Sequence, residues 1–100
     1  MQVISRKRLA AFWEKYRDAE EQLGAWLRVV KQAAWGQWAD VQKNYPRASI
    51  FEFCLIFDIC GGSYRLVARR SANWKTLFII GIYIHKDYDL NAWKARCSDD

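Results

Sequence analysis

The chain has 100 residues, of which 52% are apolar, and a formal net charge of +5. Its length suits a single domain with one hydrophobic core, residues 1–100, and its apolar content argues against disorder. The longest apolar run, residues 77–84, is far shorter than the roughly 20 residues that span a bilayer. Residues 1–16 lack the pattern of a secretion signal. We therefore expect a soluble cytoplasmic protein without a membrane role. The positive charge favours nucleic acid, an acidic membrane surface or an acidic protein as partner.

The first half of the chain has helical periodicity. Residues 2–4 predict a short strand and Ser5 a helix N-cap. A first helix is predicted by four apolar side chains at i, i+3, i+4 and i+7, namely Leu9, Phe12, Trp13 and Tyr16. Asp18 and Glu21 have the spacing of a capping box that opens a second helix. The buried stripe of this second helix would comprise Leu23, Trp26, Leu27, Val30 and Ala34. A third helix is predicted over residues 36–44, ended by Pro46.

The second half has the alternation of strands. Residues 50–59 predict one strand, with room for a bend, and Gly61-Gly62-Ser63 predicts a hairpin turn. Residues 64–70 predict a second strand and residues 75–84 a third, which is apolar on both faces and therefore central. Residues 86–94 predict a short helix, and residues 95–100 a flexible tail. Helices followed by a mainly antiparallel sheet predict an α+β fold, with the helices packed on one face.

The three cysteines, Cys54, Cys60 and Cys97, cannot all pair, and none belongs to a C-x-x-C motif. We interpret them as reduced thiols of structural or incidental importance. One histidine and scattered cysteines offer no ligand spacing for a metal, so no metal and no cofactor are expected.

Two features of the second half could carry chemistry. Arg65 and Arg69 would lie on one face of a strand, about 13 Å apart at roughly 3.3 Å per residue. They could form a solvated edge, exposed or paired with Glu52 or Asp58, or a face that binds phosphate through guanidinium forks. His85 follows the third strand, where a lone histidine is more often a cap or a surface residue than a catalyst.

A family resemblance extends over nearly the whole chain. Residues 1–49 resemble the pattern "VIS…L…FWEKhPDAE…L.AWyrvvkkAeW…adlk..fP.A". Further on, "IFDICGGSYRLVARR" is similar to "vFNIGGNKYRLIaaI", and "IYIHKDYDLNAWK" is similar to "vlTHaEYDkg.WK". These are patterns of HigB-type toxins, which belong to the RelE-like superfamily. The resemblance implies a RelE-like α+β fold and a toxin that cleaves mRNA in the ribosomal A site. It also implies neutralisation by a HigA-type helix-turn-helix antitoxin, through which alone the toxin would meet DNA.

The resemblance also implies roles for particular residues. Arg65 would clamp the phosphate, His85 would act as general acid or base, and Tyr88 would contact the RNA or the transition state. The cations that would bind RNA or phosphate are Arg69, Arg70, Lys75, Lys86 and Lys94. In this chemistry the ribose 2′-OH attacks the adjacent phosphate, giving a 2′,3′-cyclic phosphate and a 5′-OH without a metal.

Four positions depart from the family pattern. Ser63 stands where the family has lysine, Ile80 and Gly81 where it has basic residues, and Ile84 where it has threonine. Three interpretations follow: Arg69, Arg70 and Lys75 supply the missing charge, or the enzyme is weak, or the protein is a non-catalytic module that binds an antitoxin. A basic nucleic-acid-binding domain outside this superfamily is a weaker reading, since no RRM, KH or recognition-helix motif is present.

Overall fold

A five-stranded sheet organises residues 1–98, the part of the chain that the structure, a computed structural model, describes. The elements, in chain order, are β1 (Gln2–Ile4), α1 (Arg6–Lys15), α2 (Glu20–Gln32), α3 (Trp38–Asn44), β2 (Ser49–Phe51), β3 (Cys54–Ile59), β4 (Tyr64–Arg70), β5 (Thr76–Ile84) and α4 (His85–Tyr88). Short 3-10 helices lie at Arg17–Ala19 and Ala92–Arg96. In residues 1–98 no helix combines the length and apolar character needed to cross a membrane.

The strands lie in the order β1-β5-β4-β3-β2. β1 runs parallel to β5, whereas the β2–β3, β3–β4 and β4–β5 pairs are antiparallel. The predicted α+β class and the mainly antiparallel sheet are therefore confirmed. β5 is an interior strand, as its apolar character on both faces predicted.

The larger core lies between the N-terminal helices and one face of the sheet. Its buried members include Leu9 of α1, four residues of the α2 stripe and Val41 of α3, packed against alternate residues of the strands. The strand residues of this core are Leu55, Phe57, Ile59, Tyr64, Leu66, Ala68, Leu77 and Ile79. Four of the five predicted stripe residues of α2 are buried, but Ala34 is exposed, because the helix ends at Gln32.

The predicted capping box at the start of α2 is wrong. Ala19 is the N-cap of that helix, and no side chain caps it. The Asp18 carboxylate instead accepts a hydrogen bond from the Tyr64 hydroxyl, at 2.8 Å to Oδ1 and 3.0 Å to Oδ2. The Asp18 side chain, which the local pattern assigned to the helix N-terminus, thus binds a residue of β4 instead. This hydrogen bond, with burial, raises the pKa of Tyr64 to about 12.

The predicted strand over residues 50–59 is a hairpin. β2 and β3 pair antiparallel, with Phe51 opposite Cys54, and Glu52 has a φ of 51° in the turn between them. The continuous apolar alternation hid this turn because neither Glu52 nor Phe53 is a typical turn residue.

The C-terminal segment packs on the other face of the sheet. The predicted helix over residues 86–94 is divided into α4 and the 3-10 helix Ala92–Arg96, with Asn91 left-handed at φ 62° between them. A second, smaller core forms there from Cys54, Ile56, Val67, Ile80, Trp93 and Cys97. Residues 95–97 of the predicted tail therefore belong to the packed structure, whereas Asp99 and Asp100 lie outside the described residues.

The expectation of three reduced thiols is also wrong. Cys54 at the start of β3 and Cys97 form a disulfide across 43 residues, with a Cα–Cα distance of 5.1 Å and both residues fully buried. This pairing has no signal in the sequence, because only the fold brings the two segments together. Cys60 is a free thiol, and its Sγ lies 3.3 Å from the backbone oxygen of Asp18.

Candidate functional site

The predicted catalytic residues lie at one end of the sheet, where Arg65 and Tyr88 are on the face that carries the smaller core. Strand register aligns Asp58 of β3, Arg65 of β4 and Tyr83 of β5 in one row across three strands. Residues directly opposite one another in a sheet share a face, so these three side chains are neighbours.

Arg65 is held in place by two partners. Its Nε lies 3.2 Å from Asp58 Oδ1, and its Nη1 donates a hydrogen bond of 2.6 Å to the backbone oxygen of Gly62. Gly62 has a φ of 96°, and a Cβ there would lie 3.2 Å from Arg65 Nη1, so the turn needs glycine for both reasons. The Arg65 side chain retains 21% of its exposure. The turn therefore presents an oriented, partly buried guanidinium.

Tyr88 of α4 covers this guanidinium. The centre of the Tyr88 ring is 5.6 Å from Arg65 Cζ, which is cation–π distance. The ring also stacks on Trp93, at 5.2 Å and 13°, and Trp93 Nε1 donates a hydrogen bond of 3.1 Å to the Tyr88 backbone oxygen. Burial raises the pKa of Tyr88 even though Arg65 acts to lower it, so the phenol keeps its proton at neutral pH.

His85 stands where β5 ends and α4 begins. The preceding residue, Ile84, pairs with Tyr64, so β5 ends beside the start of β4 and close in register to Arg65. His85 is exposed, and its backbone oxygen accepts a hydrogen bond from Asp89 N–H. The structure thus brings Arg65, Tyr88 and the strand end with His85 to one region.

The predicted RNA-binding cations are spread more widely. Lys86 is exposed on α4 next to His85, and Lys94 Nζ lies 5.1 Å from the centre of the Phe51 ring and 5.7 Å from that of Trp93. Arg69 shares the face of Arg65, as the alternation predicted, with its guanidinium 5.2 Å from the Phe78 ring.

Arg70 and Lys75 are not part of this group. Arg70 alternates onto the other face, where its guanidinium lies 4.3 Å from the rings of both Phe53 and Trp74. Lys75 follows the β4–β5 turn, roughly 30 Å along β5 from His85 at about 3.3 Å per residue. Of the three cations expected to replace the missing charge, only Arg69 faces the site.

Two of the departures from the family pattern have structural roles. Ile80 lies in a β-bulge, because Val67 pairs with Gly81 and Ala68 with Ile79, and the freed backbone oxygen of Ile80 accepts a 2.9 Å hydrogen bond from Arg8 Nη1. Gly81 lies under the ring of Tyr83, since a Cβ at Gly81 would be 2.6 Å from Tyr83 Oη and 2.7 Å from its Cζ.

The other two departures are simpler: Ser63 is exposed in the turn, and Ile84 packs on the larger core. The contribution of Tyr83 was not anticipated from the sequence, because an aromatic residue in an apolar run reads as core. Trp93 matches the closing "WK" of the family pattern, but its stacking on Tyr88 was not anticipated. Within residues 1–98 no group of three or more His, Cys, Asp or Glu side chains could hold a metal ion.

The comparison with protein families is decisive for identity. Residues 19–91, nearly three quarters of the chain, match the HigB toxin family, described as the RelE-like toxic component of a toxin-antitoxin system. The chain belongs to the HigB toxin family. A comparison with curated proteins finds no match. The family match confirms the resemblance and the RelE-like fold expected from the sequence. As a family member, the chain is a toxin of a toxin–antitoxin system and has an antitoxin as partner. The matched region includes Arg65, His85 and Tyr88.

Proposed function

We propose that this toxin is a ribosome-dependent endoribonuclease that cleaves mRNA in the A site and so inhibits translation in the cytoplasm. A HigA-type helix-turn-helix antitoxin would neutralise it. Family membership supports the toxin role. The single observation that carries the chemistry is the oriented guanidinium of Arg65, held between Asp58, Gly62 and the Tyr88 ring beside the strand end of His85.

The reaction needs three contributions from the protein. The 2′-oxygen attacks phosphorus and gives its proton to a base, a role that we assign to the imidazole of His85, which is exposed at the strand end. Arg65 donates hydrogen bonds to the phosphorane oxygens, where negative charge develops. The 5′-oxygen leaves and takes a proton, for which the protonated Tyr88 phenol is the donor, since a 5′-alkoxide is more basic than a phenolate. Arg69, Lys86 and Lys94 would hold the RNA backbone.

The test maps cleaved mRNA by primer extension in cells that express the toxin without antitoxin. Wild type should arrest growth and give defined cleavage ends. Arg65→Ala should lower cleavage by roughly 10²–10³, the usual effect of one lost oxyanion donor, and His85→Ala should also abolish the ends. Arg28→Ala on α2, an exposed arginine remote from the site, is the matched control and should behave as wild type. Equal arrest by wild type and Arg65→Ala would refute the catalytic assignment.

A second function has its own supporting observation. Asp58 forms an ion pair with Arg65, and Ser63, Ile80 and Gly81 provide no cation, which fits a module that binds antitoxin without cutting RNA. Translation of a reporter mRNA in vitro separates the two functions. Full-length product and intact message in the presence of the purified toxin would favour the module, whereas truncated message would exclude it.

A further inference from the structure

The edge of β5 that faces β1 is covered by another strand over only part of its length. β1 pairs with residues 76–78, after which the chain leaves the sheet to form α1. In residues 1–98 no strand pairs with this edge beyond Phe78, whereas β4 pairs with the opposite edge as far as Ile84. Residues 81–84 are only half-buried. Residues 79–84 thus form an open edge, which can pair with a further strand.

The open edge carries backbone groups that suit a peptide partner. Consecutive residues of a strand direct these groups to opposite edges. The Ile80 oxygen points outward, toward α1, where it accepts the hydrogen bond of 2.9 Å from Arg8 Nη1. The N–H and C=O groups of Ile82 and Ile84, two and four residues further on, therefore point outward as well. From Ile80 to Ile84 they form a row about 13 Å long, at roughly 3.3 Å per residue. Donors and acceptors in this spacing match an extended peptide rather than a nucleic acid.

Helix α1 makes a groove of this open edge. One stripe of the helix, at i, i+3, i+4, i+7 and i+8, lines a cavity of about 380 Å³ together with Ile82 and Ile84. The stripe comprises Arg8, Ala11, Phe12, Lys15 and Tyr16. Arg8 and Lys15 are exposed, and Asp87 of α4 is the one acidic group among the described residues that line the groove. Two cations against one carboxylate leave the groove positive, with apolar side chains between the cations.

We propose that this groove is a docking site for an extended segment of the antitoxin, which adds to the open edge of β5 as a further strand. The antitoxin is the partner that family membership provides. Apolar side chains of the segment pack on Phe12 and Tyr16, and an acidic side chain pairs with Lys15. Because β5 ends at Ile84, the bound strand lies beside His85 and restricts the access of RNA. The inference rests on the proposed function, in which an antitoxin neutralises the toxin, and it adds the surface and the mode of binding.

The test measures amide hydrogen exchange in the full toxin, alone and saturated with the purified antitoxin of the same operon. The amides of Ile82 and Ile84 should exchange roughly tenfold more slowly in the complex, the effect of an added backbone hydrogen bond. The amide of Tyr83, which faces β4, should change less. Lys15→Glu should raise the Kd of the complex roughly tenfold, as expected for a lost charge-assisted hydrogen bond. Lys7→Glu, the same charge reversal at an exposed position of α1 outside the groove, is the matched control and should leave Kd unchanged.

Three results would overturn the proposal. The first is unchanged exchange at Ile82 and Ile84 in the antitoxin complex, and the second is an equal Kd for Lys15→Glu and Lys7→Glu. The third is slower exchange of the same amides in the toxin alone as its concentration rises, with a dimer in sedimentation, because the open edge would then bind a second copy. Slower exchange with antitoxin in a wild type that leaves mRNA uncut would instead sustain the docking site and refute the endoribonuclease.

Discussion

The disulfide between Cys54 and Cys97 should supply much of the stability of this toxin. It closes a loop of 43 residues, and the loop-closure entropy of that length corresponds to roughly 4 kcal/mol at 25 °C. The double variant Cys54→Ala/Cys97→Ala should lose about that much free energy of unfolding. At about 0.21 kcal/mol per degree for 100 residues, the melting temperature should fall by roughly 20 °C.

The loss should begin at the C-terminal segment. The backbone N–H of Phe53 donates to the Cys97 oxygen at 3.0 Å, and that of Cys97 to the Lys94 oxygen at 3.2 Å. Without the disulfide these two amides should exchange with solvent much faster than those of β4, because the short 3-10 helix would then be held mainly by Trp93 of the smaller core. Trp93, on which the Tyr88 ring stacks, lies on the same segment. Cleavage of mRNA by the toxin should therefore weaken when the disulfide is lost and this segment loosens.

Urea unfolding of the wild type, with and without dithiothreitol, measures the effect. Reduction should destabilise the wild type as much as the double substitution does, and should not change the double variant. Cys60→Ala, which leaves the disulfide intact, is the matched control and should keep the reductant-sensitive difference. Thiol titration of the unreduced, unfolded wild type should give one thiol. Three thiols, or stability that does not depend on reductant, would show that the reasoning is wrong.

Three further predictions follow from single contacts. Gly81→Ala should lower the free energy of unfolding, measured in urea, by about 1 kcal/mol, because the new Cβ displaces the Tyr83 ring. In a Tyr83→Ala background the same substitution should be neutral or stabilising. An equal loss in both backgrounds would disprove the contact. Folding raises the pKa of Tyr64 from 10.0 to about 12, so the protonated phenol contributes stability that is complete below pH 10 and is lost as the pH rises from 10 to 12. Tyr64→Phe should therefore lose less free energy of unfolding than wild type over that window. Parallel curves of unfolding free energy against pH for the two proteins would contradict this prediction. Burial, and secondarily the charge of Asp18, raises the pKa of the Cys60 thiol. Alkylation of Cys60 by iodoacetamide at pH 8 should therefore be slower in the folded than in the unfolded protein, and faster in folded Asp18→Asn than in folded wild type. Equal rates in wild type and Asp18→Asn would exclude Asp18 as a cause of the raised pKa.

Sequence patterns predicted those parts of the fold that depend on local periodicity. The helical stripe of α2 and the alternation of β4 required no knowledge of partners, because burial on one side of an element imposes a period of 3.6 or 2. The alternation placed Arg65 and Arg69 on one face, and Asp58 was among the partners considered for them. The family resemblance supplied the rest of the candidate site, which periodicity could not.

Long-range contacts account for what the sequence could not predict. Asp18 and Glu21 have capping spacing, but Asp18 binds Tyr64, 46 residues away. Cys54 and Cys97 come together only because the C-terminal segment folds back over β3. Arg8 and Arg96 lie near opposite ends of the chain and line one cleft. The β-bulge at Ile80, whose backbone oxygen holds Arg8, has no signal in an apolar run.

The readings of this toxin as an enzyme and as a binding module differ on whether Asp58 disables Arg65. A guanidinium has five N–H donors, and the two partners of Arg65 engage only Nε and Nη1. The Asp58 side chain is 33% exposed, and an ion pair so open to water contributes about 0–1 kcal/mol. One donor to a developing oxyanion contributes roughly 2.7–4 kcal/mol. Because the phosphorane gains more from Arg65 than Asp58 does, the ion pair orients the guanidinium before RNA binds and does not prevent catalysis, which favours the enzyme.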